Sequence, residues 1–351
     1  MSLIRQRPSR QLIVNNPAIN NGPRKKNLET EPLAPFKGSN PGNLSPDLQP
    51  NTPPVFPKNC SQDQDVLKIG KYLLYNQTTD SSEVYNAVNS QTHEEFVCKV
   101  LPINTYRQEL SPYWQVDCHE NITNVSEIIL GEAKAYVFFE KHFTDLHSYV
   151  RQKKRLREEE AAHLFKQIIS AVQHCHDNGL ILRDLKLRKF VFKDSDRKTL
   201  RLDGLEDATI LDDEENDLMS DKHGCPAYVS PEILNATGTY SGKAADMWSL
   251  GVMLYTILIG RYPFHDTQPA ALFGKIRRGQ FNIPNMLSSR AKCLIKTLLR
   301  RDPSERLTAE QVLEHPWFKG SNSGYFSHRT DRTSSDQIVP EYIETCDDFF
   351  V

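Results

Sequence analysis

The sequence lacks three features that would place it in a common class. Its seven cysteines are scattered and form no C-x-x-C pair, which excludes a zinc ribbon or disulfide framework and favours a reducing compartment, the nucleus or cytoplasm. No charge dominates, since the net charge is -2, so general attraction to nucleic acid or membranes is not expected. The longest apolar run, 247–259, is too short to span a bilayer and predicts a buried helix.

Composition divides the chain into three parts. Residues 1–65 are rich in Pro, Asn, Ser and Gln and show no apolar periodicity, so we expect a disordered segment. Residues 66–318 carry the periodic apolar patterns of a folded domain. Residues 319–351 are predicted to form a flexible tail.

The folded region is predicted to begin with strands and continue with helices. Strand patterns cover 72–74, 84–88, 95–101 and 136–140. An apolar stripe from Phe165 to Cys175 predicts a long helix that opens near Arg157 and stops at Asn178-Gly179. These patterns predict an α+β fold.

The stretch LRDLKLRK, residues 182–189, is similar to the catalytic loop of protein kinases, H-R-D-L-x-x-x-N. Arg183, Asp184 and Lys186 match it, whereas Leu182 replaces the histidine and Lys189 replaces the asparagine. That asparagine carries a magnesium ion in a kinase, and a lysine ammonium cannot ligate a metal. We therefore expect the scaffold of a kinase without its metal chemistry.

The segment that covers the nucleotide phosphates in kinases is altered too. The three glycine positions of G-x-G-x-x-G hold Gln77, Thr79 and Ser82, whose side chains would crowd a nucleotide. Lys99, in Val-Cys-Lys, matches the lysine of V-A-I-K. We expect Lys99 to make at most a weak contact with ATP, and we expect no magnesium.

The lysine of this motif pairs in kinases with a glutamate on helix αC, and Glu109 is the best candidate. Ser111-Pro112 follows almost at once, and proline disfavours a continuous helix. The αC-like helix is therefore predicted to be short or bent, which weakens the case for a Lys99–Glu109 ion pair.

The metal-binding D-F-G motif is also changed. The best alignment places Gly204, Leu205 and Glu206 on its three positions, which removes the metal-binding aspartate. A rival register makes Asp203 the metal ligand, but it requires a slip of one residue that turns every side chain of the strand to the opposite face.

Scaffold positions of a kinase are kept. Glu232, in Ser230-Pro231-Glu232, stands where A-P-E belongs, and Arg306 matches the arginine that pairs with that glutamate. Asp246 opens the apolar helix and is expected to bind the backbone of the catalytic loop. Thr308 to Gln311 predicts a capping box at the last helix.

Two longer strings make the resemblance specific. LRDLKLRKFVF, residues 182–192, and SDKHGCPAYVSPEIL, residues 220–234, resemble the Tribbles family of pseudokinases. The resemblance covers about 66–318 and the extreme C-terminus, and it implies the bilobal kinase-like fold, with a small β-rich N-lobe and a larger helical C-lobe. Where the family usually has S-L-E, this chain has Gly204 as the first residue.

The resemblance implies an adaptor. In Tribbles proteins the pseudokinase domain recruits substrates such as CCAAT/enhancer-binding transcription factors and modulates MAP kinase kinases and Akt-type kinases. The tail recruits a constitutive-photomorphogenic-type E3 ubiquitin ligase, which leads to proteasomal degradation. The matching ligase motif here consists of Asp336, Gln337, Ile338, Val339, Pro340 and Glu341.

A second partner motif of the family lies around H-P-W-F and binds MAP kinase kinases. The matching residues are Val312, Leu313, Glu314, His315, Pro316, Trp317 and Phe318. Ordinary kinases use the same letters for core packing, so both interpretations stay open.

Two other functions remain open. The chain could be a weak or atypical kinase that binds ATP without metal, since Asp184 is kept. It could also be a nucleotide sensor in which ATP controls the binding of partners. The missing glycines, Lys189 and Gly204 argue against the kinase.

Overall fold

The computed structural model describes residues 14–15, 66–79, 82–213, 216–235 and 238–319. The chain divides into two compact units, one of Met1–Ile103 with Glu127–Phe138 and one of Asn104–Ser126 with Phe139–Val351. The first is rich in strands and the second in helices, so the predicted α+β fold class is confirmed.

The first unit is built on a seven-stranded sheet. The strands are β1 Val14–Asn15, β2 Leu67–Ile69, β3 Tyr72–Thr79, β4 Ser82–Asn89, β5 Glu95–Pro102, β6 Val125–Leu130 and β7 Lys134–Glu140. Their order in the sheet is β1-β6-β7-β5-β4-β3-β2. Neighbouring strands β2 to β5 pair antiparallel, whereas β1 pairs parallel with β6.

The core of this unit lies on one face of the sheet. Tyr72 stacks on Phe138 with ring centroids 3.8 Å apart, and its hydroxyl donates to Glu127 at 2.8 Å. Leu74, Ala87 and other apolar residues at alternate strand positions complete the cluster. The period of two that predicted the strands therefore also builds the core.

The second unit has short strands between its helices. They are β8 Leu180–Ile181, β9 Phe190–Phe192, β10 Leu200–Leu202, β11 Thr209–Ile210, β12 Leu218–Met219 and β13 Tyr240–Ser241. The helices are α1 Tyr106–Glu109, α2 Ser111–Gln115, α3 Leu146–Lys153, α4 Glu158–Asp177, α5 Pro231–Asn235, α6 Gly242–Ile259, α7 Pro269–Arg278, α8 Ser289–Leu298 and α9 Ala309–Leu313.

Helix α4 has the bounds that its sequence predicts. Three glutamates in the first turn suit the positive end of the helix dipole. The stripe from Phe165 to Cys175 is buried, and the helix stops at Asn178, followed by Gly179 with a φ of 70°. Gly179 has the left-handed backbone that glycine adopts at little cost.

Helix α6 is apolar nearly all round and lies at the centre of the second unit. The Ser241 hydroxyl caps its N-terminus by accepting from the Ala244 N–H at 3.1 Å. Asp217 adds a second cap, since its carboxylate accepts from the Lys243 N–H at 3.0 Å. Among the described helices, α6 included, none has the length and apolar character that crossing a membrane requires.

The predicted αC-like helix is broken in two. Helix α1 ends at Glu109 and helix α2 begins at Ser111, with Leu110 between them. Pro112 stands in the first turn of α2, where its missing N–H costs nothing. The expected short or bent helix is therefore confirmed, although Pro112 begins the second piece rather than ending the first.

Candidate functional site

The loop that resembles a catalytic loop is held by Asp246 of α6. The Asp246 carboxylate accepts hydrogen bonds from the backbone N–H groups of Leu182 and Arg183, both at 2.9 Å. His176 Nε2 lies 2.9 Å from the same carboxylate. Arg183 has a φ of 63°, a strained value for a long side chain. The buried carboxylate thus fixes a backbone conformation that the loop would not adopt alone.

Asp184, at the position of the catalytic base, is buried. Lys186 Nζ contacts its Oδ2 atom at 2.6 Å. Its Oδ1 atom has no hydrogen-bond partner within the described part of the chain. One carboxylate oxygen of Asp184 is therefore paired with a lysine, and the other is placed to accept a hydrogen bond.

Lys189 stands at the sequence position of the asparagine that carries magnesium in kinases. Its ammonium donates to the carbonyl oxygen of Gly204 at 3.1 Å and to Asp207 Oδ2 at 2.5 Å. Burial alone would raise the pKa of the Asp207 carboxyl, but Lys189, His223 and Lys186 together outweigh burial and the pKa is lowered. A fixed cation with an ionised partner thus lies between the catalytic loop and the altered D-F-G segment.

This arrangement does not fit magnesium. The ion needs several oxygen ligands in octahedral geometry, whereas Lys189 supplies a positive charge and Gly204 supplies no carboxylate. Among the described residues, no group of three or more His, Cys, Asp or Glu side chains is placed to hold a metal.

Gly204 has a φ of +78°, which other L-residues rarely adopt. A Cβ atom added there would lie 3.1 Å from Glu206 Oε2 and 3.8 Å from Lys189 Nζ. The next residue, Leu205, is buried at 1% exposure. The backbone of this segment therefore depends on glycine at its first position.

Tyr113 of α2 holds this segment from the other side. Its buried hydroxyl donates to Glu206 Oε1 at 3.0 Å and accepts from the Leu205 N–H at 3.1 Å. Burial first, and then the nearby Glu206 and Asp203 carboxylates, raise the pKa of Tyr113 well above its usual value. No motif in the sequence singles out Tyr113.

In both registers the residue at the metal-binding position contacts Lys189. The Asp203 N–H donates to the Lys189 carbonyl at 2.7 Å, and the Asp203 carboxylate lies 4.0 Å from His142 Nε2. The Gly204 carbonyl accepts from the Lys189 ammonium. Both contacts to Lys189 are made by backbone atoms, so the register with Gly204 at the metal-binding position stays a prediction.

Lys99 and Glu109 lie in different units, so their expected ion pair also stays a prediction. Lys99 is on β5, paired with Val84 of β4. Glu109 accepts from the Thr105 hydroxyl at 2.5 Å.

The buried Arg306 and the half-buried Glu232 form a two-pronged ion pair. The guanidinium donates to the two carboxylate oxygens at 2.6 and 2.7 Å. It also donates to the Ala244 carbonyl at 2.7 Å and lies 5.1 Å from the centre of the Trp248 ring. The pair therefore joins three segments that are far apart in sequence.

The H-P-W-F segment is largely packed. Trp317 is 6% exposed, and its indole N–H donates to Glu158 Oε2 at 3.1 Å. Both Trp317 and Phe318 face the Phe165 ring. Glu314 and Pro316 are exposed. Trp317 is therefore packed as the core-packing interpretation expects, and partner binding at this segment stays a prediction.

The ligase motif, 336–341, lies outside the described residues.

Comparisons with known proteins point to the same kind of fold. Residues 79–318 match the protein kinase domain family. Over 336 residues the chain is 55% identical to Tribbles homolog 2 of Bos taurus, which covers 93% of this chain and 95% of that protein. It is 60% identical over 281 residues to Tribbles homolog 1 of Homo sapiens, and these residues are 80% of this chain and 74% of that protein.

The chain belongs to the Tribbles family. A third relative, Tribbles homolog 3 of Mus musculus, is 46% identical over 301 residues, which are 86% of this chain and 84% of that protein. This Tribbles chain has the protein kinase fold, with a β-rich and a helical unit.

Proposed function

We propose that this Tribbles-family chain is a catalytically inactive pseudokinase that acts as an adaptor. The observation that carries the proposal is the Lys189 ammonium, bonded to Gly204 and Asp207 where a kinase would hold metal. Phosphoryl transfer depends on metal ions that neutralise the phosphate charge. We therefore expect negligible transfer, and any ATP contact, including one by Lys99, should be weak and independent of magnesium.

The adaptor role has two binding surfaces. The kinase-like region binds substrates such as CCAAT/enhancer-binding transcription factors, and the segment 336–341 recruits a constitutive-photomorphogenic-type E3 ubiquitin ligase. Together they promote ubiquitin-dependent degradation in the nucleus and cytoplasm. MAP kinase kinases and Akt-type kinases are further partners whose signalling is modulated. Family membership and the ligase-like motif of the tail support this part of the proposal.

The kept scaffold supports an adaptor for a physical reason. The Arg306–Glu232 pair and the Asp246 contacts stabilise the helical unit without taking part in metal binding. An adaptor needs such rigid surfaces, because a preorganised surface loses less conformational entropy when it binds.

One observation favours a second candidate, a weak kinase that needs no metal. Asp184 keeps its carboxylate, with one oxygen on Lys186 and the other without a partner in the described structure. A base of this kind could still accept a proton from a substrate hydroxyl.

Calorimetry with the purified recognition domain of the ligase tests the adaptor. The full chain should bind, and the double variant Val339→Ala, Pro340→Ala should lose at least tenfold in affinity, as expected when interface anchors are truncated. Asp184→Asn is the matched control and should bind like the unmodified chain. Equal binding of the double variant and the unmodified chain would remove the proposed ligase role.

A further inference from the structure

One exposed corner of the helical unit gathers cations from two distant stretches of sequence. Lys153, Lys154 and Arg155 lie between α3 and α4, and Arg290 and Lys292 lie in the first turn of α8. We call these five residues the basic corner. Met286, which is 51% exposed, lies in the loop before α8.

Direct contacts bring the two stretches together. The Arg155 guanidinium lies 2.9 Å from the Met286 sulfur. Glu158 accepts from both the N–H and the hydroxyl of Ser288, at 2.7 Å each, which ties the start of α4 to the N-cap of α8. Lys292 donates to the Asn285 carbonyl at 3.4 Å. The loop that carries Met286 is therefore held beside the cations.

The first stretch has a rigid backbone. Lys154 has a φ of 68°, and its carbonyl packs so close to Gly260 that a Cβ there would lie 1.9 Å away. The Leu156 N–H donates to the Ile257 carbonyl at 2.9 Å, and the Leu156 side chain is buried. The three exposed cations thus have a fixed placement, which lowers the entropy lost on binding.

The stretches that form the corner are rich in cations, and the exposed Glu159 is an acid that adjoins them. Residues 146–157 contain five Lys and Arg and no acid, and residues 267–301 contain eight and no acid, in a chain of net charge -2. The adjoining Glu158 is bonded to Ser288 and Trp317, and Glu160 accepts from the Tyr149 hydroxyl. Lys153 also lies 5.7 Å from the Tyr149 ring centre.

We propose that the basic corner is a docking surface for an acidic peptide segment of a partner protein, with an apolar residue of that segment covering Met286. Charge complementarity selects acidic residues, and the exposed thioether selects an apolar anchor, because methionine adapts its shape to varied apolar side chains. None of the residues of this surface belongs to the Lys189 site or to residues 320–351.

The structure favours a protein segment over nucleic acid. Single strands bind through aromatic side chains on which bases stack. Within the described residues, the strongly exposed aromatic side chains are Trp114 and Phe143, and neither belongs to the corner. Met286 offers apolar contact without a stacking surface.

Fluorescence anisotropy with the full chain tests the proposal. The probe is a labelled short peptide of glutamates with a central leucine, compared with the same peptide carrying a central serine. The leucine peptide should bind more tightly, and its affinity should fall with added salt. Lys153→Glu, Lys154→Glu, Arg155→Glu together should weaken binding about tenfold or more, and Met286→Ser about threefold.

The matched control reverses three exposed lysines elsewhere, Lys193→Glu, Lys198→Glu and Lys222→Glu. It changes the net charge equally and should weaken binding much less. An equal loss in the control variant, or equal binding of the two peptides, would overturn the proposal. Tighter binding of a single-stranded oligonucleotide or of anionic vesicles would also overturn it.

Methyl NMR tests the proposal without the charge-reversed variants, so the result does not depend on whether those variants fold. The chain has five methionines, and Met286→Ser assigns the Met286 methyl signal by its loss. That signal alone should shift when the leucine peptide is added. A Met286 signal that does not move when the peptide is added would contradict a partner-binding role. So would a Met286 signal that, without peptide, is shifted only while residues 320–351 are present.

Discussion

At the scale of single residues, Lys189 and Gly204 act as one site. The lysine supplies a fixed cation, and the glycine supplies a carbonyl and a left-handed backbone that brings this carbonyl to the cation. Restoring the kinase residue at one of these two positions leaves the other position altered. Lys189→Asn alone should therefore stay inactive, because Gly204 still lacks a carboxylate.

The variant Gly204→Asp tests the backbone part of this account. A side chain at a φ of +78° is strained, and its Cβ would lie 3.1 Å from Glu206 Oε2. We expect the free energy of unfolding to fall by about 1–2 kcal/mol, measured by chemical denaturation. Gly238→Asp is the control, because a Cβ there meets nothing within 4 Å. Equal stability of Gly204→Asp and the unmodified chain would contradict the strain.

Tyr113→Phe tests the hydroxyl that joins α2 to Leu205 and Glu206. The substitution leaves the buried Leu205 N–H without its acceptor, so we expect a loss of about 1–3 kcal/mol and faster amide exchange at Leu205. Tyr255→Phe, which removes a hydroxyl bonded to the Asn282 carbonyl, should cost stability without affecting Leu205 exchange. Unchanged exchange at Leu205 in Tyr113→Phe would show that the contact does not order the segment.

At the scale of elements, the Arg306–Glu232 pair joins α5 to the segment before α9. Arg306→Lys keeps the charge and loses the fork geometry, and the half-buried Glu232 is then poorly paired. We expect a loss of about 3 kcal/mol in the free energy of unfolding. Arg300→Lys, at an exposed pair 3.7 Å from Glu305, should change stability by less than about 0.5 kcal/mol. Similar losses in both variants would contradict the buried role.

A second element, the loop between α2 and β6, is attached to α4 through two histidines. The His119 and His174 rings stack with centroids 4.8 Å apart, and His119 Nδ1 accepts from the Asn121 N–H at 3.1 Å. Burial and then His174 lower the pKa of His119, although Glu120 opposes this. The folded state therefore favours neutral His119.

The sign of this shift predicts a pH dependence. A lowered pKa contributes stability that is present above the unfolded value of about 6.5 and is lost as pH falls through the folded value. The unfolding free energy of the chain should decrease as pH falls below about 6.5. His119→Gln should reduce the dependence of the unfolding free energy on pH. His223 and His315 should supply the remaining dependence, because their pKa values are also lowered. An unchanged slope in His119→Gln would contradict this assignment.

At the scale of the whole molecule, the sequence predicted most of the fold because its patterns are local. The stripe of α4, the Thr308 capping box and the break near Pro112 each depend on residues within one or two turns. Tyr113 and the basic corner could not be predicted, because each depends on contacts between residues roughly ninety to 130 positions apart. Lys189 was expected at the metal site, but its partner Asp207 was not.

A phosphorylation assay tests the central claim most directly. The purified full chain is incubated with a generic protein substrate and ATP, once with magnesium and once with a chelator. The Lys189 ammonium and the missing carboxylate at Gly204 predict no transfer above background in either condition, and no difference between the unmodified chain and Asp184→Asn. Sustained transfer that requires magnesium and disappears in Asp184→Asn would contradict the account.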